Sequence, residues 1–175
     1  MYAGHIGVAL GAHGFRKAVP LWLLILAAQL PDWADAGLCL AGARSATPGM
    51  YSHSFPAVAL LAMAAAILYW AGWRDIPGAF LVAAVVLSHA AADWVTGIKP
   101  TWPGGPMIGL QLYSRPAIDF VLEAAVIWIG WLIYRRSFPP ERRQSNAVVA
   151  VLVALIAVQL IADVIFAVTP GLRKC

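Results

Sequence analysis

Charged residues are scarce in this chain: 11% of its 175 residues are Asp, Glu, Lys or Arg, whereas 62% are hydrophobic. A soluble globular domain carries about 25% charged residues, so the composition excludes an ordinary soluble fold. The only two cysteines, Cys39 and Cys175, are not spaced like the ligand pairs of a zinc ribbon. Internal repeats and low-complexity tracts are also absent. We therefore expect a single integral membrane domain over residues 1–175.

Apolar runs separated by short polar connections predict the architecture. A helix needs about 20 apolar residues to cross a bilayer. Five runs reach or approach this length: Val19–Leu40, Phe55–Trp73, Pro77–Ile98, Ala117–Tyr134 and Ala147–Val168. A further apolar segment, Tyr2–Gly14, is too short to cross with ease. The sequence thus predicts an all-α, polytopic transmembrane helix bundle with five spanning helices and a short N-terminal membrane helix.

The net charge of +4 arises from basic residues in the connections between these runs. There they act as topology signals, so they do not indicate a nucleic-acid surface. We name the end of the bundle that carries Arg16 and Lys17 the A side and the opposite end the B side. If all five runs cross, seven basic residues lie on the A side and five on the B side. The positive-inside rule then predicts a cytoplasmic A side and a B side that faces away from the cytoplasm.

The acids and histidines inside or beside a span fall in the B-side halves. His89 and Asp93 lie four residues apart late in the third run, so they share one face of a helix. Asp119 and Glu123 repeat this spacing early in the fourth run. Because ionisable groups are expensive in a bilayer, a layer of them at one depth favours a single site. The other members of the layer are His5, Asp32, His53 and Asp163.

Helix lengths bring the N-terminal segment into the same layer. If this segment is a helix that descends from the B side to a turn at Arg16, His5 lies about 15 Å above the turn, level with Asp32. Nitrogen and carboxylate ligands suit zinc or another divalent transition metal. Seven candidate ligands would suffice for one or two ions, and a pair about 3.5–4 Å apart is used in phosphoester hydrolysis. The candidates are His5, Asp32, His53, His89, Asp93, Asp119 and Glu123.

Four local patterns carry a family resemblance: His5, "LPDWAD" at 30–35, "YSHSF" at 51–55 and "LSHAAADWVTGIKPTWP" at 87–103. In this order they resemble the motifs H, L-P-D-x-D, H-R-G-x-T-H-S and S-H-x-x-x-D-x-x-T-x-x-G of the bacterial membrane-bound metal-dependent hydrolases. That family is distantly similar to zinc-dependent phospholipase C, an all-helical enzyme with His and Asp ligands. The resemblance covers about residues 5–106. Its last motif is the most specific, with matches at Ser88, His89, Asp93 and Thr96.

Two departures from the family pattern bear on the site. The second acid of the family falls on Ala34, and Asp35 is displaced by one residue. Pro48, Gly49 and Met50 stand where the family has H-R-G. These departures leave one-metal and non-catalytic variants open. The resemblance implies a location in the bacterial inner membrane.

The residues and the resemblance together predict a metal-dependent hydrolase in the membrane. A metal-activated water would attack an amphipathic substrate, first of all a lipid phosphoester and second an amide or peptide bond. Asp32 or Glu123 would take the proton of the water. Lys99 and Arg115, in the Pro/Gly-rich loop after the third run, would hold a phosphate, and Trp102 in this loop would contact the substrate. The loop could equally be an ordinary connector.

Other functions remain open from the sequence. A divalent-metal or proton transporter also places His and Asp in spans, although it needs polar steps toward both sides, and the A-side halves have almost none. A metal-stapled scaffold is a third reading. Individual residues have structural alternatives as well: Asp119 and Glu123 could pair with Arg115 and Lys99, Asp163 could pair with Arg115, Asp35 could be a rim acid, and His13 a turn residue.

Overall fold

The computed structural model describes residues 3–43 and 47–168. Within these ranges the chain forms eight α-helices, a two-stranded antiparallel sheet and two short 3₁₀ turns. The helices are α1 (Ala3–Phe15), α2 (Leu21–Ala28), α3 (Leu30–Leu40), α4 (Met50–His53), α5 (Phe55–Trp73), α6 (Ile76–Thr96), α7 (Pro116–Arg136) and α8 (Asn146–Val168). The strands are β1 (Lys99–Pro100) and β2 (Met107–Ile108), and the 3₁₀ turns are Leu112–Ser114 and Pro140–Arg142.

Among the described residues, α5, α6, α7 and α8 are long and apolar enough to cross a bilayer, and the bent pair of α2 and α3 makes a fifth span if it counts as one. Large apolar side chains remain exposed on these helices, for example Leu68 (72%) and Phe80 (73%). Exposed apolar surface of this extent marks a contact with lipid. The predicted all-α membrane bundle is therefore confirmed, and the last four predicted runs match their helices to within two residues.

The first apolar run is not the continuous helix that the sequence predicted over Val19–Leu40. Instead α2 and α3 meet at Gln29 with a bend of 59°. Pro31 stands in the first turn of α3. Proline cannot donate a backbone hydrogen bond, and its ring clashes with the preceding turn. The run is therefore divided into two helices, and the carbonyl that ends α2 can accept a bond from elsewhere.

Three connections meet on the A side. Arg16, between α1 and α2, donates to Asp75, between α5 and α6, with Nη2–Oδ1 and Nε–Oδ2 distances of 2.7 and 3.2 Å. Lys17 donates from Nζ to the carbonyl of Ser137, between α7 and α8. His13 donates from Nδ1 to the carbonyl of Val19 at 2.9 Å, so it is the turn residue that the sequence predicted.

The short helix α1 lies in the middle of the bundle and packs closely against α7. Glycines make this approach possible: a Cβ on Gly7 would lie 2.7 Å from the Cα of Ile127, and a Cβ on Gly130 would overlap the carbonyl oxygen of Gly7. Small residues at helix interfaces allow backbones to approach in this way in membranes. The close packing fixes the height of α1 and leaves His5 only 1% exposed.

The Pro/Gly-rich loop on the B side is ordered as a hairpin. β1 and β2 pair with Lys99 opposite Ile108 and Pro100 opposite Met107. The carbonyl of Thr101 accepts a bond from the backbone N–H of Phe55, the first residue of α5, at 2.9 Å. The hairpin is thus tied to the segment that carries His53.

Candidate metal centre

Four of the seven predicted ligands come together at the B-side end of the bundle. Asp32 lies in the first turn of α3, His53 is the last residue of α4, and His89 and Asp93 lie one turn apart on α6. Each offers a ligand atom, and these atoms all lie within 4.8 Å of one another. Nε2 of His53 is 3.1 Å from Asp32 Oδ1 and 3.3 Å from Asp93 Oδ2, and Nε2 of His89 is 3.3 Å from Asp93 Oδ2. We call these four residues the four-ligand cluster.

The broken helix sets the orientation of His89. Its Nδ1 lies 2.8 Å from the carbonyl oxygen of Ala28, the last residue of α2. A carbonyl can only accept, so Nδ1 carries the hydrogen, and Nε2 of the neutral ring presents a lone pair to the cluster. The bend at Pro31 therefore has two effects. It places Asp32 at the cluster, and it leaves the carbonyl of Ala28 available to orient His89.

A hydrogen-bond relay sets the orientation of His53 in the same manner. The hydroxyl of Ser52 donates to Asp35 Oδ1 at 2.7 Å. Since its single hydrogen is used there, Ser52 Oγ must accept from His53 Nδ1, which lies 2.8 Å away. Nε2 of His53 therefore also presents a lone pair inward. Carboxylate partners of this kind fix the ring and the tautomer of metal-ligating histidines.

Sequence reasoning missed this relay. Asp35 was expected to be a rim acid, and Ser52 was not singled out. The available signal was the displaced acid in "LPDWAD" together with the serine that precedes the histidine in "YSHSF". No spacing rule could join them, because residues 35 and 52 meet only through the fold.

His5 reaches the predicted layer and lines the cluster from the side. Its ring stacks on that of His89, with centroids 3.9 Å apart and an interplanar angle of 11°. Its Nε2 is 3.5 Å from Asp93 Oδ1. The N-terminal helix thus brings His5 beside the cluster, as predicted. His5 is nevertheless not one of the four residues whose ligand atoms all lie within 4.8 Å of one another.

Asp119 and Glu123 are buried in α7 but lie outside the four-ligand cluster of the described residues. Glu123 Oε2 accepts the backbone N–H of Gly4 at 3.1 Å, so this carboxylate caps the start of α1. Their role as ligands, and the role of Glu123 as a base, therefore stay predictions. Asp163 is paired with Gln159, which donates from Nε2 to both carboxylate oxygens at 3.0 Å. The sequence had suggested Arg115 as its partner.

The residues predicted to bind substrate divide between the site and its rim. Lys99 Nζ lies 2.8 Å from Asp93 Oδ2 and is therefore part of the site. Trp102 is 51% exposed in the hairpin, and Arg115 is exposed just before α7. The side chain of Asp32 is 46% exposed, whereas those of the other three ligands are at most 4% exposed. The cluster therefore opens to its surroundings at Asp32.

Fold and site together define a multi-pass membrane protein with a His/Asp cluster in one half of its helix bundle. A family model described as "YdjM inner membrane protein" matches residues 3–166, so the chain belongs to the YdjM inner membrane protein family. This match supports a bacterial membrane protein family and a multi-pass inner-membrane location, whereas the resemblance to metal-dependent hydrolases and to phospholipase C stays a prediction. Neither the search of curated proteins nor that of solved structures found a match.

Proposed function

We propose that the protein is a membrane-embedded, metal-dependent hydrolase of amphipathic phosphoesters. The observation that carries the proposal is the convergence of two imidazole lone pairs and two carboxylates at one point. The two Nε2 atoms, of His53 and His89, are 3.4 Å apart, and in the tautomers that their Nδ1 partners favour each presents a lone pair. Such an arrangement favours a positive charge, a proton or a metal cation, between the groups. Lys99 can balance only one of the two carboxylates.

The donor set fits one divalent transition metal. Zinc is bound by His nitrogen and Asp oxygen, commonly in a four-coordinate arrangement, and catalytic sites keep a position for water or substrate. His53, His89 and Asp93 would hold the ion, and Asp32, the exposed member of the cluster, would lie beside the position left for water. The oriented Nδ1 atoms of both histidines supply the supporting hydrogen bonds that such ligands usually have.

The bound metal would lower the pKa of a water to about 7 and polarise a phosphoryl oxygen. Asp32 is the better of the two predicted proton acceptors, because its contacts with His53 and His89 both use Oδ1 and its side chain is 46% exposed. Glu123, in contrast, is fully buried and accepts the N–H of Gly4. Lys99 lies where it would pair with an anionic phosphoryl group.

The one-sided distribution of polar groups supports a hydrolase over a transporter. In α5 and in the A-side halves of α6 and α8, no Asp, Glu, Lys, Arg or His occurs, and α7 has its arginines only in the last turn. A proton or metal pathway would need stepping groups on that side. The cluster thus lies only in the B-side half, and the distribution of basic residues predicts that this half faces away from the cytoplasm.

Metal analysis with phosphate release tests the proposal. We expect purified protein to hold one equivalent of zinc or a similar ion and to release phosphate from dodecyl phosphate in lipid nanodiscs. His89→Ala and Asp93→Ala should lose both the ion and the activity while the protein remains inserted. His13→Ala, which changes a histidine of the A-side turn, is the matched control and should keep both. Full metal content in both ligand variants would refute the metal site, and metal binding without hydrolysis of any phosphoester would refute the enzyme.

A further inference from the structure

An apolar groove runs along the lipid-facing surface between α2 and α5. Both helices pack against α6, and the floor of the groove includes Val82. Leu26 and Leu30 line one wall and Ala64 and Leu68 the other, around a volume of about 440 Å³. This volume lies within the range of small-molecule pockets, about 300–1,000 Å³.

On both walls, the chain continues from the upper end of the groove toward the four-ligand cluster. Leu30, the first residue of α3, lines the groove, and Asp32 follows two residues later in α3. His53 immediately precedes α5, which forms the other wall. The 3.1 Å contact between His53 Nε2 and Asp32 Oδ1 therefore joins the two segments that continue the walls on the B side. Asp32 is also the exposed member of the cluster, so the site opens two residues along the chain from Leu30 at the upper end of the groove.

The lower end of the groove is closed on the A side. Tyr69 and Trp73 stack with centroids 5.1 Å apart, and Trp22 faces them from α2. Along α5 the groove extends from Leu61 to Trp73, which is about 18 Å at 1.5 Å per residue. One leaflet of a bilayer core is about 15 Å thick. The groove thus has the length of one extended acyl chain.

A second groove on the opposite side of α6 lacks this connection. It is lined by Gly11, Ala84 and Ile133, among others, with a volume of about 360 Å³. Above it lie His5 and Glu123, which are at most 1% exposed. The upper end of this second groove is therefore closed off from the opening at Asp32. The second groove can thus serve as a control for the first.

Charge identifies the headgroup that would lie at the top of the first groove. Asp32 and Asp93 together balance one divalent ion, and Asp35 lies behind Ser52 and the ring of His53, so Lys99 is the uncompensated charge beside the ion. An anionic headgroup is favoured at such a position. We propose that the groove between α2 and α5 holds the single acyl chain of an anionic amphiphile whose phosphate headgroup lies at the four-ligand cluster. This inference rests on the proposed function and specifies its substrate class.

Photolabelling tests the groove without requiring turnover. The probe is dodecylphosphonate with a diazirine at the end of the chain, because a carbon–phosphorus bond is not hydrolysed at a phosphoester site. In nanodiscs of zinc-loaded protein, we expect saturable labelling of the lower parts of α2 and α5. Dodecyl phosphate should compete with the probe at least tenfold better than dodecanol or inorganic phosphate, each of which lacks one half of the ligand.

Filling the groove should abolish this labelling. Ala64→Phe places a ring in the groove, and Leu68→Trp blocks it about 6 Å lower, four residues further along α5. Ala84→Phe fills the second groove and is the matched control, since Ala64 and Ala84 are both exposed alanines in spanning helices. We expect Ala64→Phe to lose saturable labelling, Leu68→Trp to keep it only for probes with shorter chains, and Ala84→Phe to behave like the wild type.

The outcomes distinguish a failure of the groove inference from a failure of the proposed hydrolase function. Labelling that is spread over all lipid-facing helices and is not competed, or saturable labelling that Ala84→Phe alone removes, would overturn the groove inference. Competed labelling of α2 and α5 without phosphoester hydrolysis would leave the groove and reject the hydrolase. Hydrolysis that has the same chain-length dependence in Ala64→Phe and in the wild type would leave the hydrolase and reject the groove.

Discussion

At the scale of single residues, the two cluster histidines are held by neighbours that sequence spacing does not identify. His89 is oriented by the carbonyl of Ala28, and His53 by Ser52 and Asp35. Both supports fix the hydrogen on Nδ1 and point the lone pair of Nε2 inward. The two rings are therefore already oriented as the proposed metal site requires.

The relay of Ser52 predicts a graded loss of metal affinity. In Ser52→Ala, His53 loses its Nδ1 acceptor, and we expect the zinc affinity to fall about 10–100-fold, the usual effect of removing such a support. Ser52→Thr keeps the hydroxyl and should restore most of the affinity. Competition with a zinc chelator measures these changes. Ser114→Ala, which removes a hydroxyl bonded to Gln111 in the turn before α7, is the control, and equal affinities in Ser52→Ala and Ser114→Ala would contradict the relay.

The ion pair on the A side predicts a pH dependence of stability. Hydrogen bonding to Arg16 is the main cause that lowers the pKa of Asp75 below its ordinary value, with a smaller contribution from Tyr69. A carboxylate with a depressed pKa stabilises the fold at pH values above its unfolded pKa of about 3.9, and this contribution is lost as the pH falls through the folded value.

Asp75→Asn should therefore unfold at a lower temperature than the wild type at pH 7, and the difference should shrink as the pH falls below about 4. Thermal unfolding in detergent across pH 3–8 measures this difference. Glu141→Gln, in the exposed turn before α8, should show no comparable gap at any pH. A gap for Asp75→Asn that is unchanged at pH 3 would mean that the ion pair is not its cause.

At the scale of secondary-structure elements, two departures from regular spanning helices build the site. The first is the bend at Pro31, which divides one apolar run into α2 and α3. The second is the glycine contact that lets the short helix α1 pack in the middle of the bundle beside α7. Each brings a B-side polar residue, Asp32 or His5, toward α6.

Substitution of a glycine at this contact should disturb both stability and the site. The Cβ of Gly130→Ala would overlap the carbonyl of Gly7 and push α1 away from α7. Overpacking of this kind costs about 1–3 kcal/mol, which corresponds to a melting temperature roughly 2–12 °C lower for a chain of this size. We also expect weaker zinc binding, because His5 would move away from His89. Gly72→Ala is the control, since nothing lies within 4 Å of its Cβ, and an equal effect of the two substitutions would argue against the contact.

At the scale of the whole molecule, the bundle is polar at both ends and apolar in between. Ion pairs and hydrogen bonds tie the three A-side connections together, whereas the B side holds the cluster and the hairpin. The orientation in the membrane decides which compartment the cluster faces. Basic residues are more numerous on the A side, so we expect the cluster to face away from the cytoplasm.

Thiol labelling in intact cells tests this orientation. In a variant with Cys39 and Cys175 replaced by serine, Leu110→Cys places one thiol after the hairpin, where the side chain is 70% exposed. It should react with a membrane-impermeant maleimide before lysis. Gln144→Cys, in the exposed connection before α8, should react only after lysis. The reverse pattern would place the site on the cytoplasmic side and leave its chemistry unchanged.

The sequence by itself determined the membrane class and most of the spans. An apolar stretch of about 20 residues has to be a helix in lipid, because no water is available for its backbone. The depth of polar residues also followed from counting along these helices. That count placed Asp32, His53, His89 and Asp93 in one layer, and the tertiary structure brings their ligand atoms within 4.8 Å.

Only the tertiary structure decided which members of that layer meet. Depth along a helix does not give its rotation about its axis or its neighbours, which are set by packing. Rotation and packing turn Glu123 toward the N–H of Gly4, bring Lys99 to Asp93, and join Asp35 to His53 through Ser52. Packing also creates the groove between α2 and α5, because both helices pack against α6. These elements are far apart in sequence, so the sequence alone does not reveal the groove.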